Sequence, residues 1–298
     1  MDNVHYKLVK NKTFEYYEVV PKPSNEELTD YYSNKYYQQD KDNFTYSHSY
    51  SQDELNYIEN KLEQKRYILK NIFNDDSPKK IIDIGCGEGF ILNHFEKLNW
   101  DVLGMDHSDF SISKFHPHLL DRFKKGDVFD HIKQLVDNKE QFDVIFLDNI
   151  LEHVVDPNEL ISSCYQMLKK GGVLVVDVPN DFSNLQTELY DKKHVSKEYW
   201  VVVPDHLIYF TPKSLTNLCE SFGFEKRKLV TDFPIEWYLI NENSNYVNNK
   251  EFGSQAHKSR LFVENFIHND NDLEQSIAFF EALAMINQGR VITGFFQK

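Results

Sequence analysis

Residues 81–89 read Ile81-Ile82-Asp83-Ile84-Gly85-Cys86-Gly87-Glu88-Gly89, directly after Lys79 and Lys80. A β-branched apolar run ends at an acid and passes into three glycines at alternate positions. A helix-like stretch, Phe90 to Asn99, follows. β-Branched residues fit a buried, pleated strand, and glycine turns sharply while letting a ligand lie against bare backbone. Strand, glycine turn and helix in that order put a ligand at a helix N-terminus, on the carboxyl edge of a sheet. A nucleotide-like cofactor fits such a place. A dinucleotide fingerprint, however, spaces its glycines G-x-G-x-x-G. Here Gly89 comes one residue early and Phe90 takes the fingerprint's third position, which disfavours NAD or FAD.

Four further segments follow in order. Trp100–Asp106 reads as a strand that ends in an acid 21 residues after Gly85. A carboxylate only accepts hydrogen bonds, so it is a sound partner for a diol. Lys125-Gly126-Asp127-Val128-Phe129 reads as a loop. Gln141–Leu147 is a strand leading into Asp148-Asn149-Ile150-Leu151-Glu152-His153-Val154, and Leu168–Pro179 holds the Gly171-Gly172 turn and another apolar strand. This series resembles the class I S-adenosylmethionine (SAM)-dependent methyltransferases. The resemblance implies an α/β fold with a Rossmann-like, doubly wound, mostly parallel seven-stranded sheet, and SAM as cofactor. It implies a cofactor turn of Asp83, Gly85, Cys86 and Gly87, with the ribose diol on Asp106 and His107 beside it. Asp127 is expected to accept from the adenine amine while the Val128 backbone donates to the ring, or else only to cap a turn. Asp148 and Asn149 complete the cofactor edge.

A length of 298 residues suits one large α/β domain with additions. The 41% apolar content is modest, but 23 Phe and 17 Tyr supply large side chains. A net charge of −14 argues against a nucleic-acid partner, because phosphate binding needs a basic surface. Cys86, Cys164 and Cys219 form no metal or redox spacing and read as reduced thiols. No apolar stretch follows basic residues at the N-terminus. No run approaches the ~20 apolar residues of a membrane span. The expected location is the cytoplasm, with no membrane partner. The oligomeric state stays open.

Residues 1–57 are read as an N-terminal extension that holds ten of the 17 tyrosines, and residues 58–298 as the methyltransferase domain. Pro21 and Pro23 interrupt the extension. A strand or hairpin is expected around Phe14–Val20, a helix around Asn25–Tyr32, then a tyrosine-rich loop that packs on the domain or covers the acceptor. Leu55, Ile58, Leu62, Ile68 and Leu69 follow helical spacing over residues 53–73. From Lys80 to Pro179 strands and helices alternate, which gives a parallel sheet. Residues 180–210 show no clear period and read as an irregular lid insertion. Thr211 reads as a helix N-cap with Pro212 at the first position, and Gly223 ends that helix. Glu225–Phe233 reads as the sixth strand, 234–270 as a polar, Asn-rich insertion, Asp272–Asn287 as a helix and Arg290–Gln297 as the last strand.

Methyl transfer from a sulfonium is an in-line displacement, so the protein mainly aligns donor and acceptor and excludes water. A hydroxyl acceptor must also lose its proton, which a positioned His or carboxylate takes. His206, with Tyr209 nearby, and His153 are the candidate catalytic residues, His206 slightly ahead. A structural role for His153 weighs equally with a catalytic one. His194 reads as solvated. His116 and His118 lack further ligands nearby, so no metal is expected. The tail Phe279–Lys298 and the pairs Tyr31-Tyr32 and Tyr36-Tyr37 resemble bacterial methyltransferases of surface-glycan modification. That resemblance implies a small carbohydrate acceptor, a sugar or sugar-nucleotide methylated on a hydroxyl. The alternatives are an N- or C-methyltransferase of natural-product or quinone type, and a catalytically silent partner that keeps the fold.

Overall fold

The computed structural model describes residues 6–24, 27–28 and 49–298. Two short strands, β1 (Lys7–Lys10) and β2 (Tyr17–Val20), pair as an antiparallel hairpin. Of the helix expected over Asn25–Tyr32, only Glu27 and Leu28 lie among the described residues, and both are helical. The rest of that helix and the tyrosine pairs 31–32 and 36–37 lie outside them.

Helix α1 (Gln52–Phe73) starts in a capping box: the Ser51 hydroxyl accepts from the Glu54 N–H while the Glu54 carboxylate accepts from the Ser51 N–H. Alternation then begins: β3 (Lys80–Ile84), α2 (Phe90–Lys97), β4 (Asp101–Asp106), α3 (Phe110–Phe115), β5 (Phe123–Lys125), α4 (Val128–Asp137), β6 (Phe142–Asp148), α5 (Pro157–Met167) and β7 (Leu168–Pro179). After it come α6 (Asn184–Asp191), β8 (Ile208–Tyr209), α7 (Pro212–Ser221), β9 (Glu225–Thr231), α8 (Gly253–Asp270), α9 (Leu273–Met285) and β10 (Val291–Gln297).

Seven strands form one sheet in the order β5-β4-β3-β6-β7-β10-β9. The first five are parallel; β10 runs antiparallel to both β7 and β9. Chain order reverses between β3 and β6, the position at which open α/β sheets bind ligands outside their carboxyl ends. Side chains alternate across the sheet. Ile81, Val144, Phe146 and Val175 pack under α1, α2 and α9 through Leu69, Phe95 and Phe280. Ile82, Ile145, Leu147 and Val176 pack against α4, α5 and α7 through Ile132, Leu160 and Leu215. Both faces are therefore covered, as a parallel sheet requires.

Two insertions are more ordered than their sequences suggest. Residues 180–210 contain α6, started by a second capping box between Ser183 and Gln186, and β8, which pairs antiparallel with β2. A helix of eight residues is too short to declare a period. Residues 234–270 hold three short 3₁₀ segments and α8. Helix α8 meets α1 through polar side chains: Lys61 pairs with Glu264 at 3.1 Å, and Asn60 donates to Asn265 at 3.1 Å. Such a helix carries little apolar stripe to read. Thr211 and Pro212 start α7 as expected. Among the described residues, no helix is long and apolar enough to cross a membrane.

Candidate active site

The turn after β3 is shaped by glycine for two separate reasons. Gly85 has φ +76°, and a Cβ there would stand 2.1 Å from Ile150 Cδ1. The glycine turn and the turn after β6 therefore touch, with no room for a side chain between them. Gly87 donates its N–H to Asp106 Oδ2 at 3.1 Å, and the Ser108 N–H donates to Oδ1 at 3.1 Å. These bonds hold the Asp106 carboxyl in place, and each oxygen keeps acceptor capacity for a hydroxyl. Burial raises the Asp106 pKa above the usual carboxylate range, against those two N–H donors. Cys86 is buried in the turn, and its N–H donates to the Met105 carbonyl at 3.1 Å. His107 is exposed beside Asp106. Val128 is buried at the start of α4.

Asp127 caps α4: its Oδ1 accepts from the N–H groups of Phe129 at 2.8 Å and Asp130 at 3.2 Å. The capping role held in reserve for this residue is thus present, and the bonds of the cap fall on Oδ1 alone. Tyr50 covers the turn from the other side, donating its hydroxyl to Glu88 Oε1 at 3.0 Å. Tyr50 also stands edge-on to Phe90 at 5.3 Å.

Behind the turn, Asp83 is 1% exposed, and its Oδ1 has no hydrogen-bond partner among the described residues. Burial, then the neighbouring Asp148 carboxylate, pushes its pKa well up. Asp148 at the end of β6 accepts at Oδ1 from the Asn149 side chain at 2.6 Å. Asn149 adopts φ +54° and donates its N–H to the Asp177 carbonyl at 3.0 Å. Lys65 reaches this group from α1 and donates to Asp177 and, at 3.4 Å, to Asp148 Oδ2. Sequence reasoning passed over Lys65 and Asp177. The signal for Lys65 is its position in the apolar stripe Ile58, Leu62, Leu69 of α1, where a lysine has to find a buried carboxylate.

The turn after β6 also brings the two candidate histidines together. The Glu152 carbonyl accepts from the N–H groups of Leu207 at 2.8 Å and Ile208 at 3.1 Å, strapping residues 205–208 onto the turn. His153 donates Nδ1–H to the Asp205 carbonyl at 2.6 Å, so Nε2 carries the lone pair of the neutral ring. The His206 ring lies edge-on to His153, with centroids 5.0 Å apart. Glu152 Oε1 lies 3.8 Å from His153 Nε2, and burial holds this carboxyl well above its usual pKa range. Glu152, His153 and His206 place one ligand atom each within 4.8 Å of one another, a donor set that suits a divalent cation. The two histidines stand together as candidates at one acceptor, and the cation-type cluster they form with Glu152 was not expected.

Tyr209 lies next to this pair but is fully buried. Its hydroxyl donates to the His206 carbonyl at 3.0 Å and accepts from the Val202 N–H at 3.3 Å. Burial pushes its pKa up. The hydroxyl thus braces the loop that carries His206. The N-terminal hairpin reaches the same region: Val19 donates its N–H to the Leu207 carbonyl at 3.0 Å, and Lys22 donates to the Val155 carbonyl at 2.6 Å.

These residues fit SAM. A ribose diol needs acceptors, which Asp106 presents, and a sulfonium with an ammonium needs negative potential, which the Asp148 carboxylate at the end of β6 supplies beside the glycine turn.

Residues 56–229 match the family described as "Methyltransferase domain". The matched segment runs from within α1 to within β9 and contains the glycine turn, Asp106 and both histidines. The chain is 27% identical over 170 residues to the ubiquinone biosynthesis O-methyltransferase of Aliivibrio fischeri, covering 54% of this chain and 70% of that protein. A protein of the same name from Roseobacter denitrificans is 29% identical over 167 residues, covering 53% and 65%. Among solved structures, a SAM dependent methyltransferase from Archaeoglobus fulgidus superposes with a TM-score of 0.49 and 19% identity, over 80% of this chain and 94% of that one. With the match spanning more than half its length, this chain belongs to the methyltransferase-domain family and is a class I SAM-dependent methyltransferase.

Proposed function

We propose that the chain methylates a ring hydroxyl of a small quinone-type precursor, with His153 as the general base. The observation that carries this reading is the fixed His153 ring: its Nδ1–H is committed to the Asp205 carbonyl, which leaves Nε2 basic at the carboxyl edge of β6. The names of the relatives, which place O-methylation in ubiquinone biosynthesis, support the acceptor class.

SAM, when bound, supplies a methyl group on a sulfonium, already a good leaving group. Asp106 holds the ribose diol and the glycine turn accommodates the methionine part, which sets the line of displacement. His153 Nε2 receives the acceptor's hydroxyl proton as the new carbon–oxygen bond forms. The buried Glu152 carboxyl lies 3.8 Å from that nitrogen and helps fix its position. His206 packs against the His153 ring and limits its motion. The 180–210 insertion and the N-terminal hairpin close this region from water.

A carbohydrate acceptor, expected from the tail and the tyrosine pairs, is not what the names of these two relatives point to. The two acceptor classes separate in one experiment. The enzyme is incubated with deuterium-labelled SAM and either a dihydroxybenzoate-type phenol or a sugar nucleotide, and products are read by mass spectrometry. Label on the phenol oxygen with none on the sugar is the expected result. Label on the sugar alone would reverse the acceptor assignment, and label on a nitrogen or carbon acceptor would reverse the reaction type.

A further inference from the structure

Lys65 is the buried cation that the account of methyl transfer leaves unused. It sits 7% exposed in α1, above the carboxyl ends of β3, β6 and β7 and the amino end of the antiparallel β10. Asp148 and Asp177 lie opposite each other in the β6–β7 ladder, and Asp177 lies opposite Thr293 in β10. Asp83 lies opposite Phe146, two residues before Asp148, so strand parity turns it to the same face. Lys65 donates to Asp177 and Asp148, and Thr293 also donates to Asp177. One cation therefore pairs with two carboxylates, and the third, Asp83, acts on it electrostatically. Burial alone would lower the Lys65 pKa, but Asp148 and Asp177 outweigh it and keep the ammonium charged.

A buried ion pair is no economical way to stabilise a core, since apolar residues of similar volume do as well. What this one does is grip the turn that carries His153. Asn149, the first residue of that turn, is held at its N–H by the Asp177 carbonyl and at its side chain by the Asp148 carboxylate. We propose that Lys65 is a positioning residue for methyl transfer: by pairing with Asp148 and Asp177 it fixes the Asn149–His153 turn and leaves the site an excess of negative charge that favours the sulfonium. The proposal rests on the SAM assignment and does not depend on the acceptor.

Its test is calorimetric binding of SAM and S-adenosylhomocysteine by the full chain, from about pH 6.5 to about pH 8.5. Wild type, Lys65→Met and Lys65→Arg are compared. The groups facing the pair are Asp83 on β3, Asp106 on β4, Asp148 on β6 and Glu152 in the turn. They are common to all three proteins, so slopes are read relative to wild type. Without the ammonium, Asp177, already raised by burial, takes up a proton as pH falls. The site then loses a negative charge that attracts the sulfonium; S-adenosylhomocysteine has no such charge at sulfur.

In Lys65→Met, SAM affinity should fall about tenfold more than in wild type across that range, and S-adenosylhomocysteine affinity less than about threefold more. Lys65→Arg should keep the wild-type slope even if it binds more weakly, because it retains the charge. Slopes in Lys65→Met parallel to wild type for both ligands would overturn the proposal, as would Lys65→Arg sharing the slope of Lys65→Met. If Lys65→Met does not fold, Asp177→Asn serves: the affinity ratio of SAM to S-adenosylhomocysteine should drop several-fold, and an unchanged ratio overturns the proposal. No SAM binding by wild type would instead remove the cofactor assignment itself.

Discussion

His153→Ala lowers turnover by about 10²–10⁴-fold at saturating SAM, the usual consequence of losing a positioned base. SAM affinity should stay within about twofold, because the displacement leaves the cofactor-binding groups in place. The expectation follows from the local geometry. Asp205 fixes the Nδ1 side of the ring, and Glu152 stands beside Nε2, the nitrogen that accepts the proton. His206→Ala removes an edge-on neighbour and should cost roughly tenfold or less, through a looser His153 ring. The competing assignment exchanges these magnitudes and makes His206 the base. Single-turnover kinetics on the two variants decide between them. Near-normal turnover in both would mean that alignment alone drives the reaction, and the base assignment would fail.

Asp106→Ala should weaken SAM binding by about 1–3 kcal/mol, the range for hydrogen bonds lost to a charged group. More than the ligand contact is involved. The same carboxylate accepts from Gly87, so the substitution also loosens the glycine turn at its centre. Turnover at saturating SAM should fall much less than affinity, which sets this variant apart from His153→Ala. Unchanged affinity in Asp106→Ala would move the ribose away from the end of β4.

The sequence exposes those parts of the molecule whose chemistry is local. The strand, glycines and helix of residues 81–97 declare themselves through composition, and the structure adds the reason Gly85 is fixed: Ile150 fills the space its side chain would need. Thr211 and Pro212 announce α7 by capping chemistry alone. What stayed hidden depends on long-range contacts. His153 and His206 are separated by 53 residues and meet only because Leu207 and Ile208 hydrogen-bond to the Glu152 carbonyl. Nothing in either local stretch encodes that strap. Helix α8 escaped notice because its interface with α1 is made of Glu264, Asn265 and His257 rather than an apolar stripe. Tyr209 shows the converse. Its position beside His206 suggested chemistry, while its burial and two hydrogen bonds place it in the support of the loop.

The most direct test of the cofactor assignment, on which every residue role above depends, is calorimetric titration of the wild-type chain with SAM, S-adenosylhomocysteine and NAD. Saturable one-site binding of the first two, with no heat from NAD, is the predicted result. Saturable NAD binding without SAM binding would contradict the account.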